Sequence, residues 1–324
     1  MPEPSPAIYI HAAAALGPRL DYLPEQRTRL TADPEPLSCS ELARRVTGQP
    51  LRQASHFVEL AATGAQLCLQ RATGAARDCG VYFGTGLADV RSTVALFQQV
   101  LAAGPGYAAP FDFINATSNT AAFYVARLAG LRSRNLTVSQ AELSFEWALR
   151  LACRDLQSGD LRHALAGGAD ENSHTRAQHL RRIALRNDQI MGEGSGWLYL
   201  STDAGRALGE VLGVEFLPFD AAPDHGAWAE RVAAHIRAAA GGGAVHLLPG
   251  FRLAAPHLDA LSRRLQPASV IPYMDYCGAY HTAAAFGLAL LFDRPRDESA
   301  LYFHVNGDDS GHTAVIGLRA FAAA

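Results

Sequence analysis

The residues of this sequence that could do chemistry are thinly spread, and one of them stands at a structurally pointed position. Glu142 falls between an apolar strand pattern, Leu136-Thr-Val-Ser-Gln140, and a helical pattern that runs to Leu156, in a turn centred on Ala141-Glu142-Leu143. A carboxylate at such an elbow lies at the positive end of a helix. It is either a structural filler, bonded to the helix amides or to an arginine, or a base working with a second group. His281 is the residue that could be that second group, although a core histidine explains it as well. Cys277 has no elbow around it and reads as an inert buried thiol. His304, Asp308, Asp309 and His312 have the ligand types of a zinc or harder-ion site, but they read as a loop under the final strands, and no metal is expected. Arg176, Arg181, Arg182 and Arg186 read as a solvated face, with docking of an acidic carrier as the other reading.

These residues need elements to position them, and the pattern is α/β. A strand is expected at Ala7–His11, followed by a Pro-containing stretch from Pro18 to Pro50 with little periodicity. A helix is expected over Gln53–Arg71, then a strand from Cys79 into Gly84-Thr-Gly86, where a tight turn suffices because no third glycine completes a dinucleotide fingerprint. Asp89–Ala102 and Thr120–Leu128 read as helices on either side of a Gly104–Phe113 loop. Strand Leu136–Gln140, helix Glu142–Leu156 and strand His163–Ala169 follow, and the unbroken Ala-Leu-Ala-Gly-Gly-Ala run fits a strand covered on both faces. Thr175–Arg186 is a polar helix or loop. Gly194-Ser195-Gly196 opens a strand and reads as a close approach, since no helix follows to make it a phosphate nest. The rhythm then repeats, with strands at Val211–Phe216, Ala244–Leu248, Val270–Tyr273, Leu301–Val305 and Ala314–Arg319. The helices between them are Trp228–Ala240, His257–Leu265 and Tyr280–Phe292. Two similar halves are expected, 1–205 and 206–324, with no repeat visible at residue level.

Composition prunes the function classes. All 28 basic residues other than histidine are arginine, so Schiff-base catalysis, pyridoxal phosphate attachment and a P-loop are excluded for want of a primary amine. A formal charge of -3 gives no reason to expect nucleic acid or an anionic membrane as partner. The 5 cysteines are odd in number and contain no C-x-x-C pair, which argues against a disulfide framework. Met-Pro-Glu-Pro-Ser-Pro has no basic n-region and no apolar run reaches membrane length, so a cytoplasmic location is expected.

From Asn119 to Glu171 the chain resembles the β-ketoacyl-ACP synthases of the thiolase superfamily. The residues that carry the resemblance are Asn119 before an Ala-rich helix, the strand, the elbow, the helix closed by Ser158-Gly-Asp, and Ala166-Gly-Gly-Ala-Asp-Glu171. Gly84-Thr-Gly-Leu, Gly192-Glu-Gly-Ser-Gly and His281-Thr-Ala-Ala-Ala-Phe-Gly add weaker matches, and Asn306–Ala314 stands for the Gly-rich final loop. The resemblance implies a thiolase-like fold with five-layered α-β-α-β-α architecture and no cofactor.

By the same resemblance Glu142 occupies the place of the nucleophilic cysteine, Pro249 that of one catalytic histidine and Tyr276 that of the lysine, and only His281 survives. With the covalent intermediate lost, independent condensing activity is not expected. The implied function is a chain-length factor: a subunit that pairs with an active β-ketoacyl-ACP synthase, serves acyl carrier protein, and shapes the acyl tunnel in polyketide or fatty-acid-like biosynthesis. Thr93, Phe111, Phe113 and Asn119 become tunnel candidates, with core packing as the other reading of the phenylalanines. The strand Leu136, Thr137, Val138, Ser139 and Gln140 is expected to pair across the dimer. The alternatives are a malonyl-ACP decarboxylase or acyltransferase using Glu142 and His281, and a non-catalytic homodimeric acyl-binding scaffold.

Overall fold

The first strand, β1 (Ile8–Leu16), shows how the chain sorts its two faces. Ile8, Ile10, Ala13 and Ala15 face one core and Ala12 and Ala14 another. The parity changes because a β-bulge between Ile10 and Ala12 inserts an extra residue and turns the alternation over. The strand therefore runs past the expected end at His11, where the alanines carry no alternation to read. The computed structural model describes residues 6–18, 28–72, 75–103, 108–173, 175–218, 225–292 and 298–323.

After β1 come α1 (Ser40–Thr47), α2 (His56–Arg71), β2 (Gly80–Gly84), α3 (Val90–Ala103), α4 (Pro110–Asn115), α5 (Thr120–Ala129) and β3 (Asn135–Val138). A 3-10 turn (Ala141–Leu143) leads into α6 (Ser144–Gln157), β4 (His163–Asp170), α7 (Arg176–Arg182) and β5 (Gly194–Ser201). Then follow β6 (Gly209–Pro218), α8 (His225–Ala240), β7 (Val245–Pro249), α9 (Ala255–Leu265), β8 (Ser269–Val270), α10 (Met274–Cys277), α11 (Ala283–Leu290), β9 (Ala300–Gly307) and β10 (His312–Ala320).

The strand order is β3-β2-β4-β5-β1-β6-β10-β9-β7-β8. Outward from the middle, β1-β5-β4-β2-β3 and β6-β10-β9-β7-β8 share both order and directions: antiparallel, antiparallel, parallel, parallel. A duplication invisible in residue identities is thus plain in topology. Ile8–Ile10 joins the two sets by pairing with Gly209–Val211.

The buried clusters mark five layers. Phe57 and Ala61 of α2 with Val125 of α5 cover Val81, Phe83 and Trp197 on one side. Between the two sets, α6 (Phe145, Leu149) and α11 (Ala285, Leu288) pack on Tyr82 and Leu198 and on Ile316 and Leu318. Trp228 and Val232 of α8 with Leu261 of α9 cover Leu247, Phe303 and Val315 on the far side. Because α11 is buried on every face, it is apolar all round. A Cβ on Gly196 would lie 2.1 Å from the Ala285 carbonyl carbon, so Gly194-Ser195-Gly196 does serve close approach.

Several boundaries differ from the sequence reading. The Gly104–Phe113 loop contains the start of α4, since Pro110 occupies the first helical position, where its missing N–H costs nothing. The Pro18–Pro50 stretch contains α1. Residues 19–27 and 104–107, parts of those two stretches, lie outside the described residues. Of the expected Val270–Tyr273 strand only Val270 is paired, with Ser269 before it, and α11 begins at Ala283, after Thr282, whose N–H donates to Asp170. Among the described residues, no helix is long and apolar enough to cross a membrane.

Candidate active-site remnant at the elbow

The elbow is built from β3, the 3-10 turn and α6. β3 is held by Thr85, whose N–H donates to Val138 O at 3.0 Å, and the turn closes where Gln140 N–H donates to Ser144 Oγ at 2.8 Å. Ser139 and Gln140 therefore lie beyond the strand that had been expected to include them. Ala141 has φ +43°, a costly conformation for a residue with a Cβ, and residues held this way cluster at functional sites. It turns Glu142 inward, and that side chain is 9% exposed.

The carboxylate meets an arginine that sequence reading did not find. Arg252 Nε lies 3.6 Å from Glu142 Oε1, and the same guanidinium pairs with Asp309. Asn306 ties the surrounding loops together. Its Nδ2 donates to Glu142 O and to Glu146 Oε1, both at 3.0 Å, and its Oδ1 accepts from Arg252 N at 3.0 Å. His304 Nε2 lies 3.1 Å from Glu146 Oε1, with both side chains fully buried.

His281 stands nearby, 4% exposed, with no hydrogen-bond partner on either ring nitrogen and Phe251 edge-on at 5.6 Å. Gly84-Thr-Gly86 makes room for it, since a Cβ on Gly86 would fall 2.0 Å from His281 Nδ1. Burial lowers the His281 pKa from its ordinary value, against the pull of the Asp170 and Glu142 charges, so the ring is neutral at pH 7. Asp170 fixes both neighbouring loops by accepting from Thr85, Gly86 and Leu87 on one oxygen and from Thr282 on the other.

This arrangement holds a neutral imidazole and an arginine-paired carboxylate, but no activated nucleophile. All five cysteines are buried, and burial is the main cause pushing each thiol above its ordinary pKa. Cys277 Sγ lies 3.2 Å from Gly278 O, packed in the core. The residues weighed as metal ligands go to separate partners: His304 to Glu146, Asp309 to Arg252, and Asp308 to His312. Among the described residues, no three such donors converge. Nor are the four arginines one solvated face. Arg176 is spent on Asp33 and on the carbonyls of Arg186, Asn187 and Gln189, and Arg186 donates to Phe251 O, which leaves Arg181 and Arg182 exposed.

The remaining residues singled out in the sequence sit elsewhere. Thr93 is half-buried on α3 with its hydroxyl donating to Asp89 O, and Asn119 is exposed at the start of α5. Phe111 and Phe113 on α4 are 48% and 60% exposed, which overturns core packing for both. None of the four shares a hydrogen bond or ion pair with Glu142 or His281 among the described residues. Among the described residues, seven of the nine exposed large hydrophobics lie on α3, α4, α5 and β3: Phe97, Leu101, Phe111, Phe113, Ile114, Phe123 and Leu136. One edge of the sheet is β3, which among the described residues pairs with β2 alone, and the other is the two-residue β8. An apolar face beside an open strand is a surface made to be covered.

A second polar cluster, also missed, lies behind Asp170. Glu193 accepts from Leu37 N, Asn172 N and His56 Nε2, at 2.5, 2.8 and 2.9 Å. Burial opposes protonation of His56, but its bond to Glu193 and the charges of Glu193 and Glu171 raise its pKa above the ordinary value. Burial first, and the charge of Asp89 second, push the Glu171 carboxyl up to about 7. Both folded values exceed the unfolded ones, so the stability these groups contribute is present at low pH and lost as pH rises; for Glu171 the window runs from about 4.5 to about 7. Glu171→Gln should therefore stabilise the protein by roughly 3 kcal/mol at pH 8 and change little at pH 4.5, as urea denaturation at the two pH values will read.

The layering, the duplicated strand order and the strained elbow define a thiolase-like fold of the ketosynthase type. Residues 45–213, just over half of the chain, match the β-ketoacyl synthase N-terminal domain, and the protein belongs to the β-ketoacyl synthase family. Among solved structures it is similar to the ishigamide ketosynthase/chain length factor, with 23% identity, a TM-score of 0.78, and coverage of 98% of this chain and 100% of that one. It is also similar to AntDE:AntF, a type II PKS acyl-carrier protein in complex with its ketosynthase bound to the hexaketide, with 13% identity, a TM-score of 0.75, and coverage of 98% and 100%. A β-ketoacyl synthase from Burkholderia phymatum STM815 shares 15% identity at a TM-score of 0.74, with the same coverage. At these identities the likeness speaks for the fold. No curated protein sequence matches the chain.

Proposed function

We propose that this protein is a non-condensing, chain-length-factor-like subunit that pairs with an active β-ketoacyl-ACP synthase and borders its acyl tunnel in polyketide or polyene synthesis. The observation that carries the reading is Glu142: a buried carboxylate paired to Arg252 stands at the elbow, where the resemblance puts the nucleophile, and all five cysteines are buried. A second support is the apolar face of α3, α4 and α5 beside the open edge of β3, where Leu136–Gln140 would meet the partner. Thr93, Phe111, Phe113 and Asn119 belong to that side in this reading and would line or border the partner's tunnel. Acyl carrier protein would be served by the pair in the cytoplasm, and the halves 1–205 and 206–324 would act as one scaffold.

The unpartnered, neutral His281 favours a second reading, in which it decarboxylates malonyl-ACP together with Glu142. Against it stands the chemistry: a carboxylate beside a developing enolate is electrostatically unfavourable, and Glu142 is already engaged with Arg252. Co-expression decides between them. The tagged protein should bring down a cysteine-bearing synthase and be inert alone. Carbon dioxide release from malonyl-ACP by the isolated chain, lost in Glu142→Ala, would instead establish the second reading, and an inert homodimer would leave a scaffold.

A further inference from the structure

We propose that Arg252 and Asp309 form an ion-pair gate that closes the elbow of this chain, so that a ligand reaches residue 142 only when Asp309 lets go. Exposure falls along one line, from the Asp309 side chain at 70% through Arg252 at 18% to Glu142 at 9%, which places the guanidinium between the buried carboxylate and solvent. The base of Arg252 is fixed. Its N–H donates to Asn306 Oδ1, and the turn that carries it is pinned where Gly250 N–H donates to Val305 O at 2.7 Å.

Asp309 is the exposed end and the one that grips the guanidinium, through a direct hydrogen bond, while the contact to Glu142 is long at 3.6 Å. It lies on the turn between β9 and β10, near Gly311 with φ +89°, and an exposed ion pair is screened by salt where a buried one is screened far less. Release by Asp309 therefore frees the guanidinium toward solvent. This inference concerns the isolated chain and needs no partner, and it stands or falls apart from the pairing reading.

The test installs a thiol at the elbow with Glu142→Cys and follows its alkylation by iodoacetamide with peptide mass spectrometry. The five native cysteines are buried and give a silent background that also reports any unfolding. Glu142→Cys alone should react slowly, and the rate should rise as ionic strength is raised. Adding Asp309→Asn, which keeps the bulk and removes the charge, should speed labelling at least about tenfold and abolish the salt dependence. Arg252→Gln in the same background should do likewise, which guards against a folding defect peculiar to one variant. Equal rates with and without Asp309→Asn, or labelling indifferent to both salt and charge, would overturn the gate.

Discussion

On the pairing reading, Thr137→Pro should abolish capture of a synthase and leave the fold intact. Val81 N–H donates to Arg134 O and Thr85 N–H to Val138 O, so the even-numbered residues of β3 turn their peptide groups toward β2. Asn135 and Thr137 then present theirs to the open side of the sheet. Proline at 137 removes one outward donor while sparing the ladder with β2, and an edge strand is where a sheet tolerates it. Phe113→Asp attacks the adjoining face by placing a charge on a side chain that is 60% exposed and, by the pairing reading, buried in the complex. Losing an aromatic anchor from the centre of an interface costs about 2–4 kcal/mol, on the order of 30- to 1000-fold in Kd. Sedimentation of the co-expressed pair reads the loss, and melting of the isolated chain, unchanged within about 2 °C, excludes unfolding. Retention of the synthase by both variants would remove the open edge from the account.

The elbow was legible because it is local: a strand pattern, a turn and a helix pattern follow one another from Leu136 to Leu156, and periodicity reports such order directly. The glycines of β5 were legible as a close approach, but Gly84-Thr-Gly86 read only as a tight turn, and what meets them was not legible, since Gly86 makes room for His281 and Gly196 for Ala285. Arg252 and Asn306 escaped notice for the same reason. Each meets Glu142 across more than a hundred positions, and neither has a local pattern to set it apart. Core packing of Phe111 and Phe113 failed differently, because a hydrophobic residue in sequence reads alike whether it fills a core or stands exposed on the surface. His304, Asp308, Asp309 and His312 show that nearness in sequence is not convergence: β9 turns His304 into the core toward Glu146, and the turn sends Asp309 out to Arg252.

Asp170→Asn should be the most damaging conservative change in the molecule. Asp170 is 2% exposed at the end of β4, and its two oxygens accept five hydrogen bonds of 2.7–3.1 Å from Thr85, Gly86, Leu87 and Thr282. An amide cannot serve them. Whichever way it turns, its NH2 faces one or two backbone N–H donors that it cannot serve, only the threonine hydroxyls being able to reverse and accept from it, and the charge that strengthens the remaining bonds is gone; each buried donor left bare costs about 1–3 kcal/mol. The expected loss is about 3–5 kcal/mol by urea denaturation, against less than about 1 kcal/mol for Glu142→Gln, whose ion pair at 3.6 Å is long. A loss below about 1 kcal/mol for Asp170→Asn would mean that the loops do not depend on this carboxylate. The contrast matters for function. The five bonds clamp the Gly86 turn from one half against Thr282 from the other, and His281 stands between those two anchors. If the scaffold around His281 costs several times more to disturb than Glu142, the fold depends on the clamp that Asp170 makes between the Gly86 turn and Thr282 far more than on the carboxylate at the elbow.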